Sequence, residues 1–147
     1  MGYSMQVDEE TTAKAYGKEL PISPKKAREV CRAIRRKPIA EAKEILEGII
    51  EGRRAIHYAR YSKEVAHKPG LGSGGYPVKV AKYILRLLEN AEENAEYKGL
   101  DSESMVVHHI SAYRGSPTKS YRPRAYGRSA PWVKEATNVE VILREVE

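Results

Sequence analysis

Three segments of the chain carry apolar residues at the spacing of an α-helix. In the first, positions 27, 30, 31 and 34 are apolar and follow Ser23 and Pro24, a good N-cap and first-turn pair, which predicts a helix over residues 24–36. In the second, positions 42, 45, 46 and 49 repeat this spacing between positions 38 and 52. The third is longer and runs from about Pro77 to a C-cap at Gly99. The pattern predicts three helices, of which the first two meet at a corner.

Three further segments have the composition of β-strands. Residues 12–20 predict a short edge strand whose interior is weakened by Gly17. Residues 105–113 and 138–146 are rich in Val and Ile with alternating polar residues, and they flank a strongly basic segment. If these two runs pair as the roots of a hairpin, the residues between them form a ribbon of roughly ten residues per arm, which reaches on the order of 30 Å beyond the domain.

Prolines in the basic segment favour a ribbon outside the sheet. A proline removes a hydrogen bond from a central strand, whereas every second N–H of a two-stranded ribbon points outward and a proline can stand there. The prolines concerned are Pro117, Pro123 and Pro131. A lone two-stranded hairpin is marginal in water, so we expect its tip to be mobile until it is bound.

Residues 53–76 lose the helical period and predict a loop excursion. Their sequence, RRAIHYARYSKEVAHKPGLGSGGY, interleaves basic residues with tyrosines and ends in glycines. The GLGSGG run formally matches the glycine fingerprint of dinucleotide-binding turns. That fingerprint has meaning only directly after a buried parallel strand, and here a basic polar stretch precedes it, so we interpret the run as a flexible loop.

Positive charge is concentrated between Met105 and Lys134. The chain has 26 Lys and Arg against 20 Asp and Glu, a formal charge of +6, and this segment carries six cations and no acid. Without those six, the counts are 20 against 20. Residues 111–132 also contain no Val, Ile, Leu or Met, so they have little aliphatic surface to bury in a core of their own. The segment needs a partner, and a polyanion fits best.

The remaining composition narrows the functional classes. A length of 147 residues predicts one domain with a modest core, and the single Cys31 can form neither an intramolecular disulfide nor a cysteine-based zinc site. The sequence has no nucleophile elbow, Walker loop or H-E-x-x-H motif, so we expect no catalytic residue, no metal and no cofactor. It has neither a leader pattern nor an apolar run of membrane-spanning length, so we expect a soluble intracellular protein without a membrane partner.

Basic and aromatic residues alternate in the acid-free segment in a way that suits nucleic acid. Arg122, Arg124 and Arg128 share a parity with Tyr126, so an extended backbone would place them on one side. Guanidinium groups grip phosphates and a ring stacks on a base. A disordered basic loop would explain the charge but not the flanking strand patterns.

Two further basic surfaces lie outside that segment. The first predicted helix carries a stripe of cations opposite its apolar side with Glu29 as its single acid, and a solvated helix face explains this stripe about equally well. The excursion adds cations around Tyr58 and Tyr61, a mixture suited to backbone and stacking contacts. The acids, by contrast, concentrate in ENAEENAE at residues 89–96, a solvated helix face turned away from the polyanion.

Three motifs resemble one known family. ISPKKAREVCRAIRRKPIAEAKEIL, LLENAEENAEYKGLD and RPRAYGRSAPW occur in that order and spacing, which is similar to the large-subunit ribosomal protein L twenty-two family (L seventeen in eukaryotic naming) over essentially the whole chain. Residues 53–76 resemble the archaeal and eukaryotic branch, since bacterial members are shorter at this point.

This resemblance implies an α+β fold and a structural role. The expected architecture is a single domain, residues 1–147, in which a small three-stranded antiparallel sheet packs with about three helices and a long β-hairpin, about residues 105–146, protrudes. The expected function is a non-enzymatic constituent of the cytoplasmic large ribosomal subunit that binds 23S-type rRNA, supports assembly and lines the nascent-peptide exit tunnel. Its partners would be rRNA, neighbouring proteins including ribosomal protein L four, and the nascent chain; it would use no cofactor and form no homo-oligomer.

The resemblance and the basic surfaces together give the candidate site residues. The rRNA-binding set is Lys25, Lys26, Arg28, Arg32, Arg35, Arg36, Arg53, Arg54, Arg60, Lys63, Lys68, Arg114, Lys119, Tyr121, Arg122, Arg124, Arg128, Trp132 and Lys134. The hairpin tip spans about residues 119–130, and its tunnel-lining part would be Arg122, Pro123, Arg124, Ala125, Tyr126, Gly127 and Arg128.

Two other functions remain open from the residues alone. One is an architectural DNA-binding protein that inserts a basic, proline-bearing ribbon arm into a minor groove, although such proteins usually need two arms. The other is an RNA-modifying enzyme in which His108 or His109 acts as a general base beside a carboxylate. Adjacent strand residues point to opposite faces, so the two histidines cannot share one metal.

Overall fold

The computed structural model describes residues 3–146. Three helices are present in this range: α1 (Pro24–Ile34), α2 (Ile39–Ile50) and α3 (Val78–Tyr97). The strands are β1 (Thr12–Leu20), β2 (Ile56–His57), β3 (His67–Lys68), β4 (Gly72–Gly75), β5 (Met105–Arg114), β6 (Thr118–Pro123), β7 (Ser129–Lys134) and β8 (Thr137–Glu145). Short 3₁₀ turns occur at Ser102–Ser104 and Ala125–Gly127.

The central sheet has three antiparallel strands in the order β1-β8-β5. β1 is an edge strand with the bounds that the sequence predicts, and the two runs that flank the basic segment pair with each other from Met105↔Glu145 to Arg114↔Thr137. Three helices with a small antiparallel sheet confirm the predicted α+β class.

The core lies between this sheet and the helices. Val139, Val141 and Leu143 alternate along β8 on one face, and they join a single cluster with the predicted apolar positions of α1, α2 and α3. On α3, Leu85 is only partly buried against this cluster, whereas Leu87 is buried within it.

Helix α1 ends two residues earlier than the pattern predicts. Arg36 adopts a positive φ of 61°, and its N–H donates to the carbonyl of Val107 at 2.8 Å, while the N–H of Val107 donates to the carbonyl of Lys37 at 2.9 Å. The chain therefore leaves the helix to bond the edge of β5. At the other end, Ser23 stands at the N-cap position as predicted, but its side chain makes no capping hydrogen bond.

The excursion at residues 53–76 differs from the expected loop because it forms a second small sheet in the order β2-β4-β3. The GLGSGG run supplies all four residues of β4. Strands of two to four residues have no apolar period, so the pattern could not reveal them. Ile56 and Tyr58 are buried and attach this sheet to the main core.

Strands β6 and β7 continue from the central hairpin roots as a two-stranded antiparallel ribbon, from Thr118↔Lys134 to Pro123↔Ser129. The N–H of Arg124 donates to the carbonyl of Arg128 at 2.8 Å, which fixes the alternation of bonded and non-bonded pairs. By this alternation the pairs that contain Pro123 and Pro131 are non-bonded, so both prolines stand where an N–H would point outward.

Gly74 makes the small sheet sensitive to a single methyl group. A Cβ at Gly74 would lie 2.5 Å from the carbonyl oxygen of Ile56, which is backbone and cannot move aside cheaply. We expect Gly74→Ala to lower the free energy of unfolding by about 1–3 kcal/mol, the usual cost of overpacking, as measured by urea unfolding. Gly75→Ala is the matched control, because its Cβ would meet nothing closer than 3.4 Å. Equal urea midpoints for the two variants would contradict this account of the sheet.

Candidate nucleic-acid interface

The tip of the ribbon is a tight turn between Arg124 and Arg128. Tyr126 and Gly127 have positive φ angles of 58° and 65°, and the Tyr126 side chain is 98% exposed. The expected continuous extended backbone is wrong, because the chain reverses direction at this turn and Tyr126 leaves the extended conformation. The three arginines nevertheless share one face of the ribbon, since Arg122 pairs with Ala130 and the N–H of Arg124 bonds Arg128 across the turn.

The two faces of the ribbon differ in chemistry. On one face the guanidinium of Arg122 lies 5.2 Å from the ring centroid of Trp132, a diagonal cross-strand contact of the cation–π type. Lys134 belongs to the same face by register. The opposite face carries Lys119, Tyr121, Pro131 and Val133. The first face thus offers cations and an indole together, as phosphate binding and base stacking require.

Near its root the ribbon has one ion pair. Arg114 Nη2 lies 3.6 Å from Glu135 Oε1, and Glu135 stands immediately after the acid-free segment. No ion pair within residues 3–146 includes any of the other five cations of the segment. Their charge is therefore available to an external polyanion.

The basic residues of α1 fall into two groups, those that are only exposed and those that also bond or shape the fold. Lys25, Lys26, Arg28 and Arg32 are exposed. Arg35 is also exposed, but its Nη2 donates to the carbonyl of Ile110 at 2.9 Å and ties the end of α1 to β5. Arg36, although exposed, occupies the turn that closes the helix.

Glu29 has a role that sequence reasoning missed. It is buried, and its carboxylate accepts three backbone N–H groups: from Ala59 at 3.1 Å, Arg60 at 3.0 Å and Tyr61 at 3.2 Å. These bonds bring the excursion against the start of α1 and place its basic residues beside those of the helix. The only sequence feature that hinted at this role is that Glu29 is a single acid in a strongly basic helix. Its partners could not be predicted, because they are backbone N–H groups about thirty residues away.

The other excursion cations are more dispersed. Arg53 pairs with Glu51, while Arg54 is exposed at the start of the excursion. The ammonium of Lys68 lies 5.3 Å from the ring centroid of Tyr76. These residues broaden the basic surface without converging on one point.

The histidine pair lies on the central sheet, where a register shift interrupts β5 between Val107 and His109. His109 Nε2 is 3.1 Å from Glu140 Oε1 and 3.2 Å from Ser4 Oγ. A catalytic triad needs the acid on one ring nitrogen and the nucleophile on the other, whereas here both face Nε2. The cluster instead satisfies a buried carboxylate.

Cys31 and Tyr113 both have raised pKa values, which disfavour either side chain as a nucleophile. Burial raises the pKa of the Cys31 thiol to about 12, so it stays protonated at neutral pH. The hydroxyl of Tyr113 donates to that of Tyr16 at 3.0 Å, and this bond, with some burial, raises the pKa of Tyr113 to about 12.

Across residues 3–146 no group of three or more His, Cys, Asp or Glu side chains has a metal-binding arrangement. No helix in this range combines the length and apolarity needed to cross a membrane.

Glu140 anchors the N-terminal segment to the sheet. Its side chain is fully buried and accepts hydrogen bonds from the backbone N–H of Ser4 at 3.1 Å and the hydroxyl of Ser111 at 2.7 Å. Burial alone would raise the pKa of this carboxyl, but the bonds from Ser4, Ser111 and His109 outweigh it and lower the pKa.

A lowered pKa in the folded state makes Glu140 a source of acid sensitivity. Its stabilising contribution is complete above the unfolded value of 4.5 and is lost as the pH falls through the folded pKa. Glu140→Gln should lower the free energy of unfolding at pH 7 by about 1–3 kcal/mol, because donors lose their acceptor. The variant should also flatten the pH dependence below about pH 5 in urea unfolding series. Glu93→Gln, an exposed change on α3, is the control, and an unchanged acid slope for Glu140→Gln would refute the assignment.

Comparison with known proteins gives matches along nearly the whole chain. The sequence model of the family described as ribosomal protein L22p/L17e matches residues 15–144. The large ribosomal subunit protein uL22 of Archaeoglobus fulgidus is 48% identical over 146 residues, which cover 97% of this chain and 94% of that protein. The protein of the same name from Methanopyrus kandleri is 46% identical over 144 residues, covering 95% of this chain and 91% of its own. That of Methanocaldococcus jannaschii is 46% identical over 146 residues, covering 97% and 94%.

Proposed function

Because this chain belongs to the ribosomal protein L22p/L17e family, we propose that it is a structural protein of the large ribosomal subunit and binds ribosomal RNA through its ribbon and its helix–excursion surface. The family resemblance in the sequence is confirmed by these matches, and so is its archaeal-type branch, since the relatives described above are archaeal. The proposed location is the large subunit of the cytoplasmic ribosome.

The observation that carries the RNA-binding proposal is the ribbon of residues 118–134. It has five cations and no acid, and its large rings are exposed: Tyr121 by 74%, Tyr126 by 98% and Trp132 by 48%. A soluble ribbon with no core gains nothing by exposing these rings. Phosphates and unpaired bases satisfy both features at once, because guanidinium and ammonium groups bind phosphate and rings stack on bases.

The finer part of the proposal concerns where the ribbon goes. By family resemblance the RNA is large-subunit, 23S-type rRNA, and the protein supports subunit assembly. The tip at residues 122–128 lines the exit tunnel near ribosomal protein L four and meets the nascent chain. The nearly complete exposure of Tyr126 at the end of the ribbon supports a tip that ends in an open space or against another molecule.

The distribution of acids gives the molecule a preferred orientation. Glu89, Glu93 and Glu96 are exposed on α3, whereas Glu92 pairs with Lys43. These acids lie on the C-terminal half of α3 and repel phosphates, so this half of the helix faces away from the RNA in the proposed complex.

The DNA-binding alternative would require a dimer, since architectural proteins of that type use paired arms and residues 3–146 contain one ribbon. For the enzyme alternative, His109 does lie beside a carboxylate, but Glu140 is fully buried and already accepts hydrogen bonds from Ser4 and Ser111, so a structural role accounts for the pair.

Sedimentation of a native extract tests the proposal directly. The protein should migrate with large ribosomal subunits and remain there in high salt, because a ribbon enclosed by RNA cannot dissociate one contact at a time. A pool that stays at low molecular mass would contradict a structural role in the subunit.

Loss of the tip cations should weaken RNA binding in a salt-dependent way. Replacing Arg122, Arg124 and Arg128 with Ala should lower the dependence of log K on log salt by about 2 to 3 units, if each arginine neutralises one phosphate. The measurement is filter binding of the full chain to large-subunit rRNA over a salt series.

A charge-matched control separates a local effect from net charge. Lys79, Lys82 and Arg86 are three exposed cations on α3, and replacing them with Ala removes the same charge far along the chain from the ribbon. If both triple variants change the slope equally, the tip has no special role in phosphate binding.

A further inference from the structure

A cavity of about 380 Å³ lies between the start of α1 and the first half of the excursion. Four cations line it: Lys25 and Lys26 from the helix, and Arg60 and Lys63 from the excursion. Tyr61 forms part of its wall. These residues come from two separate segments of the chain, so the cavity forms only when the excursion folds back onto α1.

Positive charge in this cavity is not balanced by the protein. The ammonium of Lys25 and the guanidinium of Arg60 lie 5.7 Å and 5.9 Å from the ring centroid of the same Tyr61. Two like charges therefore converge on one ring. Among the ion pairs formed within residues 3–146, none includes any of the four cations.

The one acid in the cavity wall is already engaged. Glu29 accepts the N–H groups of Ala59, Arg60 and Tyr61, so its oxygens are directed at backbone donors rather than at the cations. These bonds also fix the backbone of residues 59–61 before any ligand binds. A preorganised loop loses less conformational entropy on binding, which raises affinity for a ligand that matches it.

The start of α1, which lines the cavity, is tied to the root of the ribbon. Thr137, the first residue of β8, donates its hydroxyl to the carbonyl of Ile22 at 2.7 Å in a buried contact. Ile22 precedes the first residue of α1 by two positions, so this bond holds the helix start against the strand that follows the ribbon.

We propose that this cavity binds one nucleotide of an unpaired RNA strand, with its phosphate held by Lys25, Lys26, Arg60 and Lys63 and its base on the ring of Tyr61. The proposal rests on the RNA-binding function proposed above and deepens it. The cavity volume lies near the lower end of the ~300–1,000 Å³ range of small-molecule sites, which suits one nucleotide and excludes a duplex. An anion without a base would use the cations but would leave the ring unused, so the ring favours a nucleotide.

The ring is tested by comparing single-stranded with duplex RNA. The full-length protein is titrated against fluorescein-labelled twelve-nucleotide oligouridylate and oligoadenylate and against a twelve-base-pair RNA duplex, and binding is followed by anisotropy. Tyr61→Leu should weaken single-strand binding about tenfold, the usual size of one lost base–aromatic stack, and leave duplex binding unchanged. Tyr61→Phe keeps the ring and should restore the affinity. Tyr97→Leu, at a 93% exposed tyrosine on α3, is the matched control.

The cations give a second readout that does not depend on Tyr61. The double variant Lys25→Gln, Lys63→Gln changes two exposed side chains and should lower the single-strand salt slope by about 1.4 units, whereas Lys79→Gln, Lys82→Gln should not. If Tyr61→Leu unfolds the protein, this slope alone decides.

The outcomes separate the cavity from the general function. Wild-type single-strand affinity in Tyr61→Leu, or an unchanged slope in the Lys25 and Lys63 double variant, overturns the nucleotide site while ribbon-dependent RNA binding stands. Absence of RNA binding by the wild-type chain, together with absence from large subunits, overturns the proposed function itself.

Discussion

Antiparallel pairing of β5 with β8 is the constraint on which the rest of the structure depends. It places Arg114 opposite Thr137, and this closure makes the twenty-two residues between them run out and back as a ribbon rather than spread as a loop. The same pairing puts β8 in the centre of the sheet, where it carries much of the core. The free edge of β5 is then covered where Arg36 and Lys37 exchange backbone hydrogen bonds with Val107. One ladder thus joins the packed domain to a segment that has no core.

Both buried carboxylates serve as internal anchors for irregular chain. Glu29 holds the excursion through three backbone N–H groups, and Glu140 holds the N-terminal segment through Ser4. In each case backbone N–H groups or serine hydroxyls donate to the carboxylate, so the carboxylate does not pair with a surface lysine or arginine. These two acids therefore do not neutralise the basic surfaces beside them. Three of the exposed acids, Glu89, Glu93 and Glu96, lie on the C-terminal half of α3, where they would repel a polyanion.

The sequence predicts this fold as far as its periodicities reach. Helices of eleven to twenty residues repeat their apolar positions often enough to be recognised, and β5 and β8 have long alternating runs. The strands of the excursion are too short to show a period, and the burial of Glu29 depends on backbone groups of residues 59–61, which no local pattern reveals. The parity argument at the tip was correct for the three arginines and wrong for the backbone. It assumed a continuous strand, whereas the positive φ of Tyr126 and Gly127 reverses the chain, and cross-strand pairing keeps Arg122, Arg124 and Arg128 on one face.

The two basic surfaces should therefore bind RNA with different thermodynamics. Around Tyr61 the backbone is already fixed by Glu29, so binding orders mainly the side chains of lysine and arginine. The ribbon is held by its own strand pairing and by the Arg122–Trp132 contact, and it has no apolar core. A bound partner would therefore have to order the ribbon backbone further. The conformational entropy lost when the ribbon becomes ordered opposes binding, so the affinity per unit of buried surface is lower. In return, a ribbon without a core can adapt its course to the RNA that it is proposed to bind, while the packed domain at its root keeps its fold.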